Sequence, residues 1–374
     1  MPRSTPSKST FIGLAAVFAA FFFAAGAPTP LLSLRQQEWG GFSAATLSIA
    51  FSIYAIGLLA ALLIGGSLSD HLGGRRPVML LALYGELLSM AVFIFAPSIS
   101  WVIAARALQG LATGGLATSA FNAAIAEHAP PHRKKLAGGL AGASVAGGLG
   151  VGGALVTGAA VQFTSDANTL IFAILAVVMV IAVVYVSLTE ETVTPRPGAF
   201  RSLAPPRLGL PASIRREFGA GLPVHIAGWM FPALFLGLSP ALLRVQFGLE
   251  GGLVAGFTAF LGGPFTAALA GFYFTRHPAR HSTLAGVSLI LAGIIVVLVG
   301  ISASWLPAIW IGAVLGGVGF GGSFGGQLRL IAPLVEPQQR AGGYLPAFTS
   351  PRTSRSASRL SLPAYWFPRG GESS

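Results

Sequence analysis

Five polar side chains sit where the surrounding sequence is apolar: Glu86, Arg106, Gln109, Thr113 and His225. Arg106, Gln109, Gly110 and Thr113 recur at the i, i+3, i+4 and i+7 spacing that places residues on one helix face. A carboxyl group and a guanidinium held in apolar surroundings suit one kind of chemistry, the uptake and release of a proton. Lack of water disfavours the charged form of a lone acid. Glu86, paired with Arg106 or alone, is therefore a proton-carrier candidate; its alternative is an acid facing a water-filled cavity with no such role. A charge at the centre of a membrane helix costs about 2.5–3.5 kcal/mol on insertion scales. Arg106 stands about 9 Å from the nearer end of its apolar run at the helical rise per residue, so it either serves that chemistry or snorkels to the surface. His225 lines a cavity and titrates, or is a structural hydrogen-bonding residue; Trp229, Phe231 and Phe235 are the aromatics beside it, for a cavity or for packing.

Other chemistries find little support. Gly142-Ala143-Ser144 has the look of a nucleophile turn, but no histidine or acid lies in a comparable run to serve the serine. The six histidines are scattered without metal-ligand spacing, and the absence of cysteine excludes disulfides and thiolate sites. Gly148, Gly150 and Gly153 spell a dinucleotide fingerprint, but no strand precedes them. Gly138/Gly142 and Gly148/Gly152, each four apart, read instead as close helix contacts. No catalytic residue, cofactor or metal is expected.

The elements that must hold these side chains are membrane helices. The chain has 374 residues, 53% hydrophobic and 9% charged, where a soluble domain carries about a quarter charged residues. Runs long enough to cross about 30 Å of hydrocarbon fall at about 11–34, 44–66, 77–97, 100–127, 136–162, 168–188, 219–242, 251–274, 283–302 and 305–327, so the fold expected is an all-α polytopic membrane protein of ten transmembrane helices. Ala25-Gly26-Ala27 also allows a cleaved signal peptide, although a proline follows directly. The net charge of +12 does not signal nucleic acid, because the basic residues sit in short loops. With the N-terminus cytoplasmic, sixteen Lys and Arg fall on the cytoplasmic side and two, Arg35 and Arg244, on the outer side, which sets the orientation. Residues 1–188 form a first six-helix bundle, 189–218 a proline- and arginine-rich cytoplasmic linker, 219–340 a second bundle of four helices, and 341–374 a polar, disordered cytoplasmic tail.

Between the second and third runs lies Gly65-Gly66-Ser67-Leu68-Ser69-Asp70-His71-Leu72-Gly73-Gly74-Arg75-Arg76. Gly66, Leu68, Asp70 and Gly73 fit the Gly-x-Leu-x-Asp-x-x-Gly loop of the major facilitator superfamily in register, which this chain resembles; His71 stands where a basic residue is usual, and Gly74 is an extra residue before Arg75 and Arg76. Asp70 at a helix C-terminus needs a cation nearby, and Arg75, Arg76 and Arg133 are candidates. Offsets of 205 between Arg75 and Arg280 and 204 between Trp101 and Trp305 suggest the two related halves of that family. The resemblance implies a secondary transporter working by alternating access. Gly66, Asp70, Gly73, Arg75 and Arg76 would form its conformational-switch loop, and Arg106, Gln109, Glu86 and His225 its proton-coupling and cavity residues. Arg106-x-x-Gln109-Gly110 is similar to the proton-coupled members. Gly148-Leu149 to Gly153 resembles the antiporter motif, with Leu149 in place of its proline. The partners implied are a small organic solute, protons and the lipid bilayer, with no nucleic acid, for a monomer in the cell membrane acting as a proton-coupled efflux antiporter. The alternative is a non-transporting product or membrane sensor, since the text after Ala341 turns Ser-, Arg- and Pro-rich where two further spans are expected. A frameshift or truncation there, or a natural ten-span form, would account for it.

Overall fold

In lipid, each backbone N–H and C=O must find its partner within the chain, and a helix achieves this alone. The computed structural model describes residues 8–39, 41–65, 74–191 and 212–331, which form helices with short connections and, among the described residues, no strand. The first six expected spans become α1 (Lys8–Gly26) with α2 (Pro28–Glu38), α3 (Ala44–Gly65), α4 (Arg75–Phe95), α5 (Ile99–Leu111) with α6 (Ser119–His128), α7 (Ala137–Gly147) with α8 (Thr157–Phe163), and α9 (Ala167–Leu188). After the linker come α10 (Ala212–Phe247), α11 (Gly252–Gly262) with α12 (Pro264–Phe274), α13 (Ala279–Ser302) and α14 (Leu306–Ile331). Eight helical stretches among the described residues are long and apolar enough to cross a membrane. The other two of the ten expected are α3, whose apolar core Ala45–Ala61 is short, and the α5–α6 run that carries Arg106 and Gln109.

Two spans are broken by small residues. Ala112–Thr118 and Gly148–Val156 widen to π-helix, with a kink at Gly114. Each widened segment leaves a carbonyl that a threonine takes: Thr118 Oγ1 donates to Thr113 O at 2.6 Å and Thr157 Oγ1 to Gly152 O at 3.3 Å. α10 begins at Ala212, ahead of the expected 219, because its polar first turns lengthen the helix beyond the apolar run; Pro223, Pro232 and Pro240 lie within it.

Buried apolar side chains gather in two clusters, one drawn from residues 11–186 and the other from 231–313. Between them run small-residue contacts. A β-carbon on Gly256 would stand 2.2 Å from Ala154 O, and one on Gly252 2.7 Å from Gly158 O. Of the four-residue glycine spacings, Gly148 and Gly152 do meet α1, at Ala19 O, Phe22 and Phe23. Gly138 and Gly142 meet nothing within 4 Å, which corrects the expectation of a close contact there: both sit on faces of α7 with open space.

Candidate functional site

Glu86, Arg106, Gln109 and Thr113 come together in the first cluster, all essentially inaccessible. α4 supplies Glu86, α5 supplies Arg106 and Gln109, and Thr113 enters from the π-helical segment that follows. Arg106 does not snorkel. It is 3% exposed, and its Nη1 donates to Ala25 O at 2.9 Å and to Gln109 Oε1 at 2.7 Å, while Nε reaches Ala50 O at 3.4 Å. Its guanidinium also lies 4.3 Å from the Tyr54 ring centre and 5.6 Å from that of Phe51. These contacts explain why the charge stays inside: two backbone carbonyls, an amide oxygen and a ring face replace water.

Glu86 is not in direct contact with Arg106. Gln109 stands between them. Its Nε2 donates to Glu86 Oε1 at 2.9 Å and to Ala24 O at 3.0 Å, and Thr113 Oγ1 donates to Glu86 Oε2 at 3.4 Å. The free carbonyl of Ala24 has a cause in the sequence. Its helical donor would be residue 28, and Pro28 has no N–H. The break between α1 and α2 thus creates the acceptor that Gln109 fills. Close approach of α3 makes the rest possible, since a β-carbon on Gly110 would lie 2.2 Å from Tyr54 O.

Of the loop expected to act as a conformational switch, Gly66, Asp70 and Gly73 lie outside the described residues, and with them the expected pairing of Asp70. Arg75 and Arg76 begin α4, where Glu191 caps the helix. Its two carboxylate oxygens accept from Arg75 N and Arg76 N, each at 2.9 Å, as an anion at a helix N-terminus should. Arg75 Nε also pairs with Glu127 at 3.3 Å, and Arg76 Nη1 donates to Thr189 O at 3.4 Å. Gly74 takes φ 116°, and a β-carbon there would strike the Glu191 carboxylate. Neither Glu127 nor Glu191 is a candidate from sequence, because each lies far along the chain from Arg75.

His225 stands apart from Glu86 and Arg106. It hydrogen-bonds Gln327 across α10 and α14, and its ring lies 5.3 Å from Phe324. Trp229 meets Phe320 and Phe324 edge-on and is 51% exposed. Phe231 and Phe235 are buried and pack against Gly316 and Gly262.

A model of the Major Facilitator Superfamily matches residues 12–349. A stretch of 89 residues is 36% identical to "Major facilitator superfamily multidrug transporter mfsB" of Aspergillus fumigatus; it covers 23% of this chain and 14% of that protein, so this chain spans only a small part of that relative's length. Among solved structures, a bacterial homologue of the human lysosomal transporter Spinster, inward-facing and unoccupied, superposes with a TM-score of 0.68 at 19% identity, over 91% of this chain and 79% of that one. The human organic anion transporter MFSD10 gives 0.62 at 20% identity over 92% and 90%, and the xylose transporter XylE of E. coli 0.63 at 14% over 91% and 88%. At such identities these three share the fold.

Proposed function

This chain belongs to the major facilitator superfamily, a family of multi-pass membrane transporters, and on that premise we propose that it exports a small organic solute across the cell membrane in exchange for protons. The observation that supports this reading most is the buried Glu86–Gln109–Arg106 network, because a proton on Glu86 changes what its neighbours can do. As a carboxylate, Glu86 only accepts, and it takes Gln109 Nε2 and Thr113 Oγ1. Protonated, it must also donate. Both neighbours donate to it, so the added proton needs an acceptor, and a turn of the Thr113 hydroxyl or the Gln109 amide supplies one. Gln109 also holds Ala24 O at the break in the first span. A proton arriving from one side of the membrane would thereby alter the tie between α4, α5 and α1, which is the kind of change that alternating access needs. On this reading the protein is a monomer with its N-terminus cytoplasmic, as the sixteen-to-two distribution of basic residues supports. The bilayer, the solute and protons are then its partners.

The test is transport in proteoliposomes with an imposed pH gradient. The multidrug activity in the name of the fungal relative makes a lipophilic dye cation, ethidium, the first probe. Wild type should move dye in proportion to the gradient. Glu86→Gln, which keeps the shape but holds no exchangeable acid, should still allow dye exchange without response to the gradient. Gradient-driven transport at the wild-type rate in Glu86→Gln would remove the proton-carrier role.

A further inference from the structure

At the end of the bundle opposite Arg75, a cavity of about 370 Å³ opens between the two sets of helices. α2 contributes Pro30 and Leu34, α8 contributes Val161 and Gln162, and α10 and the start of α11 contribute Arg244 and Glu250 with Leu249 and Gly251. Two charges of opposite sign thus line one open cavity, Arg244 half-buried and Glu250 exposed. Among the described residues they form no ion pair with each other or with any other side chain. Arg244 has one hydrogen bond there, from Nη2 to Gln36 Oε1 at 3.3 Å, which leaves most of its donors to the cavity. The other basic residue at this end is satisfied: Arg35 pairs with Glu38 at 2.8 Å and stacks 5.2 Å from Trp39. The N-terminus of α11 also lines the cavity, where Gly251 is the capping residue, and the first amides of a helix carry no intrahelical partner. An acid beside a helix N-terminus is expected from the dipole alone. A cation in the last turn of α10 is likewise expected; the two ends bring a guanidinium and a carboxylate to one cavity with no ion pair between them.

We propose that this cavity binds a small zwitterion with an apolar body: its acid group on Arg244 and the α11 amides, its ammonium on Glu250, and its side chain against Leu34, Val161 and Leu249. The volume falls within the range of small-molecule sites. A free amino acid and the headgroup of a zwitterionic lipid present the same paired charges, and both reach this end of the protein. The site is separate from Glu86 and Arg106, and its occupancy does not depend on the proton-coupled transport proposed above.

The experiment measures binding to the stationary full chain in phosphatidylglycerol nanodiscs at pH 7, using leucine, N-acetylleucine (anion only) and leucinamide (cation only). Leucine should bind more tightly than either analogue by tenfold or more. Arg244→Gln should weaken leucine and N-acetylleucine at least tenfold and spare leucinamide. Glu250→Gln should weaken leucine and leucinamide and spare N-acetylleucine, and Arg244→Lys should recover part of the loss. Adding phosphatidylethanolamine separates the sources: a raised apparent Kd for leucine assigns the site to a lipid headgroup as well, and an unchanged Kd assigns it to the free solute. Equal affinity for the three ligands, no leucine binding up to about 10 mM, which is above the usual span of substrate affinities, or leucine binding unaffected in both glutamine variants would overturn the proposal.

Discussion

Replacing Gln109 by leucine keeps the side-chain volume and removes three hydrogen bonds, to Glu86 Oε1, Ala24 O and Arg106. The remaining partners are unequal. Arg106 keeps Ala25 O and Ala50 O, and Glu86 keeps only the 3.4 Å contact from Thr113. Ala24 O loses its side-chain donor, and Pro28 has no N–H with which to replace it. A hydrogen bond to a charged group contributes about 1.5–3 kcal/mol, and an orphaned buried carbonyl costs about 1–3 kcal/mol. Hydrogen bonds measured in a membrane protein have averaged only about 0.6 kcal/mol, with a maximum near 1.7. This site lies inside the helix cluster, away from lipid, so the upper part of the membrane range applies, and three bonds at about 1–1.5 kcal/mol give roughly 3–4.5 kcal/mol of destabilisation. Unfolding of the reconstituted full chain measures it. The sharper readout is a double-mutant cycle with Glu86→Leu. The double variant removes donor and acceptor together, so it should be less destabilised than the two single changes added, with a coupling of about 1–2 kcal/mol. A single variant within about 0.5 kcal/mol of wild type, the range of ordinary surface changes, or a coupling of zero, would refute the claim that Gln109 joins Glu86 to the first span.

Other consequences are as direct. Arg106→Lys keeps the charge but cannot reach the Ala25 and Ala50 carbonyls and Gln109 as a planar fork or lie flat on Tyr54, so dye transport should fall at least tenfold in proteoliposomes while leucine binding stays. Glu191→Ala should speed hydrogen exchange at the Arg75 and Arg76 amides, with a loss of about 1 kcal/mol typical of a helix cap; unchanged exchange would show that the carboxylate does not hold them. Gly142→Ala, with open space at the site, should be neutral or stabilising by up to about 1 kcal/mol in thermal unfolding. Gly256→Ala, whose new methyl would meet Ala154 O, should lower both folding yield and transport.

Much of the architecture was legible because lipid leaves few choices: a run of apolar residues must be a helix, and a charge within it must find company. That brought Glu86, Arg106 and Gln109 to notice, and the structure brings the three together, although the direct partnership of acid and base became an indirect one through the amide. The residues that sequence reasoning missed are backbone acceptors and distant acids. Pro28 signals an unfilled carbonyl at Ala24, but nothing local says that residue 109 fills it. Glu127 and Glu191 reach the start of α4 only because three helices end side by side. Gly138 and Gly142 show the converse: the spacing that marks a close contact also occurs on an open face, and sequence does not distinguish the two.

At Gly158–Gly252 and Ala154–Gly256 the two clusters meet backbone against backbone, with the Val161 side chain beside Gly252. Interlocked side chains act like gear teeth: sliding past one another costs a rotamer change or a gap at every step. A seam of glycine and alanine has no teeth. It works as a plain bearing, able to turn through small angles at nearly constant contact, and its clearance is less than one methyl group. The same thinness that makes it smooth makes it easy to jam, so tolerance for larger residues should be lowest where the protein has least to show on its surface.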